Sequence, residues 1–156
     1  MIYLDNAATT FKKPINVIEA INHALTSYGN SGRGAYRAAL DSGRMVYETR
    51  EKISKFFGSS DPSKVIFTSN ATEGLNIVLF GMFGSGDHVI STVTEHNSVL
   101  RPLYKLEKTK HIGIDFIGID ENGKLKYDEI EKHIKENTKA IIVNHVSNVS
   151  GEIADI

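Results

Sequence analysis

Three polar stretches carry side chains suited to chemistry on a small anionic ligand. In Thr68-Ser69-Asn70-Ala71-Thr72-Glu73-Gly74-Leu75-Asn76, Asn70 is a good helix N-cap and Glu73, three residues on, completes a capping box. The free N–H groups of such a first turn, backed by the helix dipole, suit an anion, and Thr72 adds a hydroxyl donor. The alternative at this point is a capped helix that binds nothing. The stretch Thr94-Glu95-His96-Asn97-Ser98 offers His96, an imidazole able to stack on a flat ring or move a proton near neutral pH. A third stretch, His145-Val146-Ser147-Asn148-Val149-Ser150-Gly151, offers Asn148, whose amide can hydrogen-bond a ring hydroxyl. Taken singly, His96 reads equally as a surface or capping residue and Asn148 as a turn former. Of the six histidines, the other five show no metal-binding spacing. The chain has neither a Gly-Lys-Ser/Thr P-loop nor a Gly-x-Gly-x-x-Gly after a strand. A phosphate on a small cofactor therefore fits better than a nucleoside triphosphate or a dinucleotide.

These stretches must be positioned by alternating elements. Val17, Ile18, Ile21, Ala24, Leu25 and Tyr28 recur at helical spacing, with Gly29 as a stop. The loop Gly29-Asn30-Ser31-Gly32-Arg33-Gly34 follows. A second helix is predicted from about Ala38 to Phe57, with Val46, Ile53, Phe56 and Phe57 on its buried side and Gly58 as its C-terminal stop. Strands are predicted at 64–68, 87–92, 111–119 and 139–144, and helices at 71–83, 98–108 and 127–136. That alternation implies βαβ crossovers and an α/β fold, a mainly parallel sheet with flanking helices. The three polar stretches then lie at the carboxyl edge of one sheet, where such folds bind ligands.

The 156 residues suit one domain with a real core. A formal net charge of −1 gives no reason to expect nucleic acid or an acidic membrane as partner. No apolar run is long enough to cross a bilayer, and no signal peptide is evident, so a cytoplasmic location is the default. The absence of cysteine excludes disulfides, thiolate metal sites and a cysteine nucleophile within these residues. The last residues, Asp155-Ile156, come just after a strand and its loop, a position that should leave apolar sheet surface bare. The expectation is the front part of a longer protein, self-associating to hide that surface.

Five ordered motifs resemble the class V aminotransferases, in particular the cysteine desulfurase and selenocysteine lyase branch. They are Tyr3-Leu4-Asp5-Asn6-Ala7-Ala8-Thr9-Thr10, Asn30-Ser31-Gly32-Arg33-Gly34, Ile66 to Asn76, Glu95-His96-Asn97-Ser98-Val99 and Asn144 to Gly151. The resemblance covers essentially the whole chain. It departs at Asn97, where many relatives carry a second histidine, and at Gly32, where some carry a histidine before Arg-Gly. It implies the aspartate aminotransferase-like large domain, incomplete here: 1–15 as an extended N-terminal segment and 16–156 as the first part of the domain that binds pyridoxal 5'-phosphate (PLP). By resemblance, Ala71 and Thr72 hold the PLP phosphate, His96 stacks on the pyridine ring and helps move protons, and Asn148 lies beside the ring oxygen. Asn6-Ala7-Ala8 approaches the substrate side. The implied activity is removal of sulfur from L-cysteine, in a homodimer that hands sulfur to an acceptor protein. Another class V reaction, or a non-catalytic α/β anion-binding domain, stays open as the alternative. The lysine that tethers PLP, the aspartate that pairs with its ring nitrogen, the nucleophilic cysteine and the substrate-binding arginine of that family have no counterpart within residues 1–156. The chain alone is therefore expected to be inactive.

Overall fold

The computed structural model describes residues 2–156. They form two compact units, one ending at Phe67 and the other spanning Thr68–Ile156. The first unit holds helices α1 (Ile15–Ser27) and α2 (Arg37–Phe56). The intervening loop is fastened to the start of α2: Gly29 N–H donates to the Ala38 carbonyl, and Ser42 Oγ donates to the carbonyls of Gly29 (2.9 Å) and Ala38 (2.7 Å). Gly34 has φ +103°, and a Cβ there would lie 2.6 Å from the Tyr36 ring, so only glycine fits. Helix α2 buries Ala39, Ser42 and Ser54. Phe56 and Phe57, predicted on its buried side, are 82% and 77% exposed. They fall at the helix end, beyond the packed turns, and stack edge-to-face on each other at 5.1 Å.

The second unit is the α/β part. Strands β1 (His88–Thr92), β2 (Gly113–Ile117) and β3 (Thr138–Ile141) form a parallel sheet in the order β2-β1-β3. Helices α3 (Ala71–Met82) and α4 (Asn97–Lys110) pack with it around Leu79, Phe83, Val89, Val99, Leu103, Leu106 and Ile112. All five β1 residues are buried, the pattern of a central parallel strand covered on both faces rather than of an alternating one. Lys110 Nζ reaches back to the carbonyls of Phe80 (3.1 Å) and Phe83 (2.5 Å), satisfying acceptors at the end of α3.

Three of the four predicted strands are present; 64–68 is not one of them. Lys64 closes a short 3-10 turn, and the N–H groups of Lys64 and Val65 donate to the Asp61 and Pro62 carbonyls within that turn. The first two ladder donors are thus already used, Ile66 is 77% exposed, and the segment straddles the boundary between the units. The predicted helix over 127–136 shortens to α5 (Tyr127–Ile130) followed by a 3-10 turn. Asp115 on β2 explains this: its Oδ2 meets His133 Nδ1 at 3.0 Å, Lys135 Nζ at 2.8 Å and buried His88 Nε2 at 3.2 Å, drawing residues 133–135 onto the sheet. Thr138 completes the brace, its Oγ1 accepting from Lys135 N–H (2.7 Å) and lying 2.8 Å from His88 Nδ1. Among the described residues no helix is long and apolar enough to cross a membrane, and no group of three or more potential ligands is placed to hold a metal ion.

Candidate functional site

The start of α3 is built as its residues dictate. Asn70 Oδ1 accepts from Glu73 N–H at 2.9 Å, and Glu73 Oε2 accepts from Ser69 N–H at 2.6 Å. That second bond holds the Glu73 carboxyl below the usual carboxylate range. Gly74 N–H goes to the Asn70 carbonyl. The N–H groups of Ala71 and Thr72 meet no acceptor among the described residues. Two exposed donors therefore point out of the positive end of a helix of 12 residues.

Thr72 is joined to His96 by one residue. Thr72 Oγ1 lies 2.8 Å from Ser98 Oγ, and Ser98 Oγ lies 2.8 Å from His96 Nδ1. His96 is itself the N-cap of α4, its Nδ1 accepting from Ser98 N–H at 3.1 Å. In the neutral ring this places the proton on Nε2. Capping occupies only one nitrogen of an exposed imidazole, leaving Nε2 and the ring faces available.

Asn148 is placed differently. It is exposed in the turn after β3, which Ser147 organises by accepting from the N–H groups of Val149 (3.3 Å) and Ser150 (3.2 Å). The structure brings Thr72 and His96 together through Ser98 and gives Asn148 no hydrogen bond to either. Thr72 opens onto a cleft of about 240 Å³ between α3 and α4, with Asn97, Arg101 and Lys105. Asn148 lines a separate cavity of about 300 Å³ with Thr94 and Glu95. The run Glu95-His96-Asn97 spans the two: Glu95 faces the Asn148 cavity and Asn97 the Thr72 cleft.

Two residues of this arrangement stand in the quoted motifs but were given no role there. Ser98 is only 7% exposed, and its signal was a hydroxyl two residues after an N-cap. Glu95 is half-buried, and burial pushes its carboxyl up, opposed by the Asn144 N–H, the Thr92 hydroxyl and the charge and N–H of His96.

A sequence profile of the family described as "Aminotransferase class-V" matches residues 2–156. A Methanothermobacter thermautotrophicus protein named "Probable cysteine desulfurase" is 34% identical over 157 residues, covering 99% of this chain and 38% of that protein. The "Cysteine desulfurase" of Haloferax volcanii is 30% identical and is covered to 37%, against 98% of this chain. Among solved structures, the apo cysteine desulfurase of Thermococcus onnurineus NA1 superposes with a TM-score of 0.85 at 34% identity, over 94% of this chain and 37% of that one. The chain thus spans about 38% of the length of the first of these relatives. On the profile match, the fold and these relatives, the chain belongs to the class V aminotransferase family.

Proposed function

We propose that the chain supplies the phosphate-binding and ring-facing part of a PLP enzyme that removes sulfur from L-cysteine. In this reading residues 16–156 are the first part of the large domain and 1–15 an extended segment before it. The observation that carries it is the pair of unpartnered N–H groups at Ala71 and Thr72, beside a Thr72 hydroxyl linked through Ser98 to His96. A phosphate monoester needs several convergent donors with no fixed negative charge among them, and this helix start offers two N–H groups, the Thr72 hydroxyl proton being directed at Ser98 Oγ. Glu73 does not oppose the fit, since its carboxylate is engaged by Ser69 N–H.

Each residue has a distinct task. Ala71 and Thr72 donate to the phosphate. Ser98 locks the His96 ring against rotation by holding Nδ1. His96 then presents a flat face to a planar ligand and carries an exchangeable proton at Nε2. Asn148 offers an amide for a ring hydroxyl from the neighbouring turn. When bound, PLP supplies an electron sink that stabilises negative charge on the carbon next to the amino group. The names of the relatives support cysteine as substrate. We place the whole enzyme in the cytoplasm as a homodimer that passes sulfur to an acceptor protein.

The test is a titration followed by amide NMR. Added PLP is expected to shift Ala71 and Thr72 N–H first and the His96 ring signals next, and inorganic phosphate to compete only for the former. Pyridoxal without its phosphate should leave Ala71 and Thr72 unmoved. Equal shifts from pyridoxal and from PLP at those two amides would overturn the reading.

A further inference from the structure

We infer that Arg101 is a further phosphate-binding residue: its guanidinium group supplies the donors and the positive charge that the start of α3 leaves short. This rests on the function proposed above and deepens it, naming what selects a doubly charged anion at the same cradle. The α3 start offers two free N–H groups, at Ala71 and Thr72, because the Thr72 hydroxyl is engaged with Ser98. A phosphate monoester brings three strong acceptor oxygens and a charge of about −1.5 to −2 near pH 7. The positive end of a helix opposes that with only about half an elementary charge. Donors and countercharge both fall short, and the shortfall has the chemistry of a guanidinium group.

Arg101 stands where that group is needed. It lines the cleft of about 240 Å³ between α3 and α4 with Thr72, Asn76, Asn97, Ser98 and Lys105, and no carboxylate lines it. Ser98 and Arg101 are three residues apart and share one face of α4. Ser98 Oγ lies 2.8 Å from Thr72 Oγ1, which sets that face beside the α3 start. Helical side chains lean toward the N-terminus of their own helix, so an extended Arg101 stem leads back to Ser98 and Thr72. The exposed side chain is uncommitted: among the described residues it joins no ion pair and donates no hydrogen bond. None of its neighbours one turn away, Asn97, Ser98, Tyr104 and Lys105, is acidic. Lys105 repeats the positive charge on the same face but deeper along the cleft. Its Nζ lies 5.5 Å from the ring centroid of Phe80, two turns beyond Thr72 on α3. A planar guanidinium also engages two phosphate oxygens at once, which an ammonium group does not.

The test titrates inorganic phosphate, and separately pyridoxamine 5'-phosphate, which lacks the lysine-reactive aldehyde, into the chain and three variants. NMR follows the Ala71 and Thr72 amides and the Arg101 Nε–H signal. Arg101→Gln is expected to bind both ligands about tenfold more weakly, having lost a charge-assisted contact. Arg101→Lys keeps the charge without the fork and is expected to be about threefold weaker than wild type. Lys105→Gln is expected to stay within about twofold of wild type, since a charge deeper in an open cleft is screened. Wild-type affinity in Arg101→Gln, or equal losses in Arg101→Gln and Lys105→Gln, overturns the proposal. Should Arg101→Gln unfold, Arg101→Lys decides: weaker binding with the Ala71 and Thr72 amides still responding supports the proposal, and wild-type affinity overturns it. The two readings fail differently. Ala71 and Thr72 shifts of unchanged affinity in Arg101→Gln keep the α3 cradle and remove Arg101 from it. A shifted Arg101 Nε–H with Ala71 and Thr72 unmoved counts against the cradle and keeps Arg101 as an anion-binding residue. No binding of either ligand to the wild-type chain overturns both.

Discussion

Replacing Asp115 by Asn tests the brace that orders the segment between β2 and β3. The carboxylate sits among three nitrogen donors, at 2.8 Å from Lys135, 3.0 Å from His133 and 3.2 Å from His88. The Lys135 hydrogen bond is the largest influence, and together with His133 and the charges of Lys135 and His88 it lowers the Asp115 pKa from 3.8 to about 2, against the opposing effect of burial. A fall of that size corresponds to about 2.4 kcal/mol of preference for the charged form in the folded state. The side chain is 25% exposed, so solvent screening reduces the expected loss in Asp115→Asn to about 1–2 kcal/mol at pH 7. A depressed carboxylate pKa stabilises the fold above the unfolded-state pKa, and that contribution disappears as pH falls through the folded-state value. The difference between wild type and Asp115→Asn should shrink between about pH 4 and 2. Urea unfolding at pH 7, 4 and 3 measures it, with Lys135→Met closing a double-mutant cycle on the shortest contact. A difference at pH 7 under about 0.3 kcal/mol, or one that grows between pH 4 and 3, would refute the argument.

Asn70→Ala should cost about 1 kcal/mol in urea unfolding, since it removes the acceptor for Glu73 N–H and leaves the α3 start uncapped. Gly81→Ala, at an open helical position with nothing within 4 Å of the added carbon, should stabilise by about 0.5–1 kcal/mol. Gly34→Ala should instead destabilise by about 1 kcal/mol or more, because φ is +103° and the Tyr36 ring occupies the space. Borohydride treatment of the chain with PLP should fix the pyridoxyl group only in part, spread over several surface lysines. Peptide mass spectrometry that found one lysine labelled stoichiometrically would show that a tethering lysine lies within these residues after all.

Features decided by local chemistry were legible in the sequence. Helix α3 was expected over 71–83 and runs Ala71–Met82, because Asn70 and Glu73 specify its first turn without outside help. Glycine likewise marked the ends of the helical patterns, as at Gly58, whose φ is +71°. Features decided by pairing were not. The 64–68 run has the length and apolar character of a strand, yet its first donors close a local turn, and strand identity needs a partner that no local pattern names. Helix α5 falls short of its predicted length because Asp115, some twelve residues earlier in the chain, captures His133 and Lys135. Within the candidate site the same division holds. Ala71 and Thr72 follow from the capping pattern, whereas Ser98 acquires its place only when α3 and α4 pack side by side.

His96 shows why two readings that compete on paper need not compete in the fold. Read alone, it was either a capping residue or a ring-facing one. The structure makes it a cap, through Nδ1 and Ser98 N–H. An imidazole that caps through Nδ1 is a better platform than one left free, because a rotating ring loses conformational entropy when a ligand stacks on it and a fixed ring does not. The same bond assigns the neutral-ring proton to Nε2. Ser98, by also meeting the Thr72 hydroxyl, ties the orientation of that ring to the start of α3. The start of α3 and the His96 ring are thus joined by two hydrogen bonds, with no strand of the sheet between them.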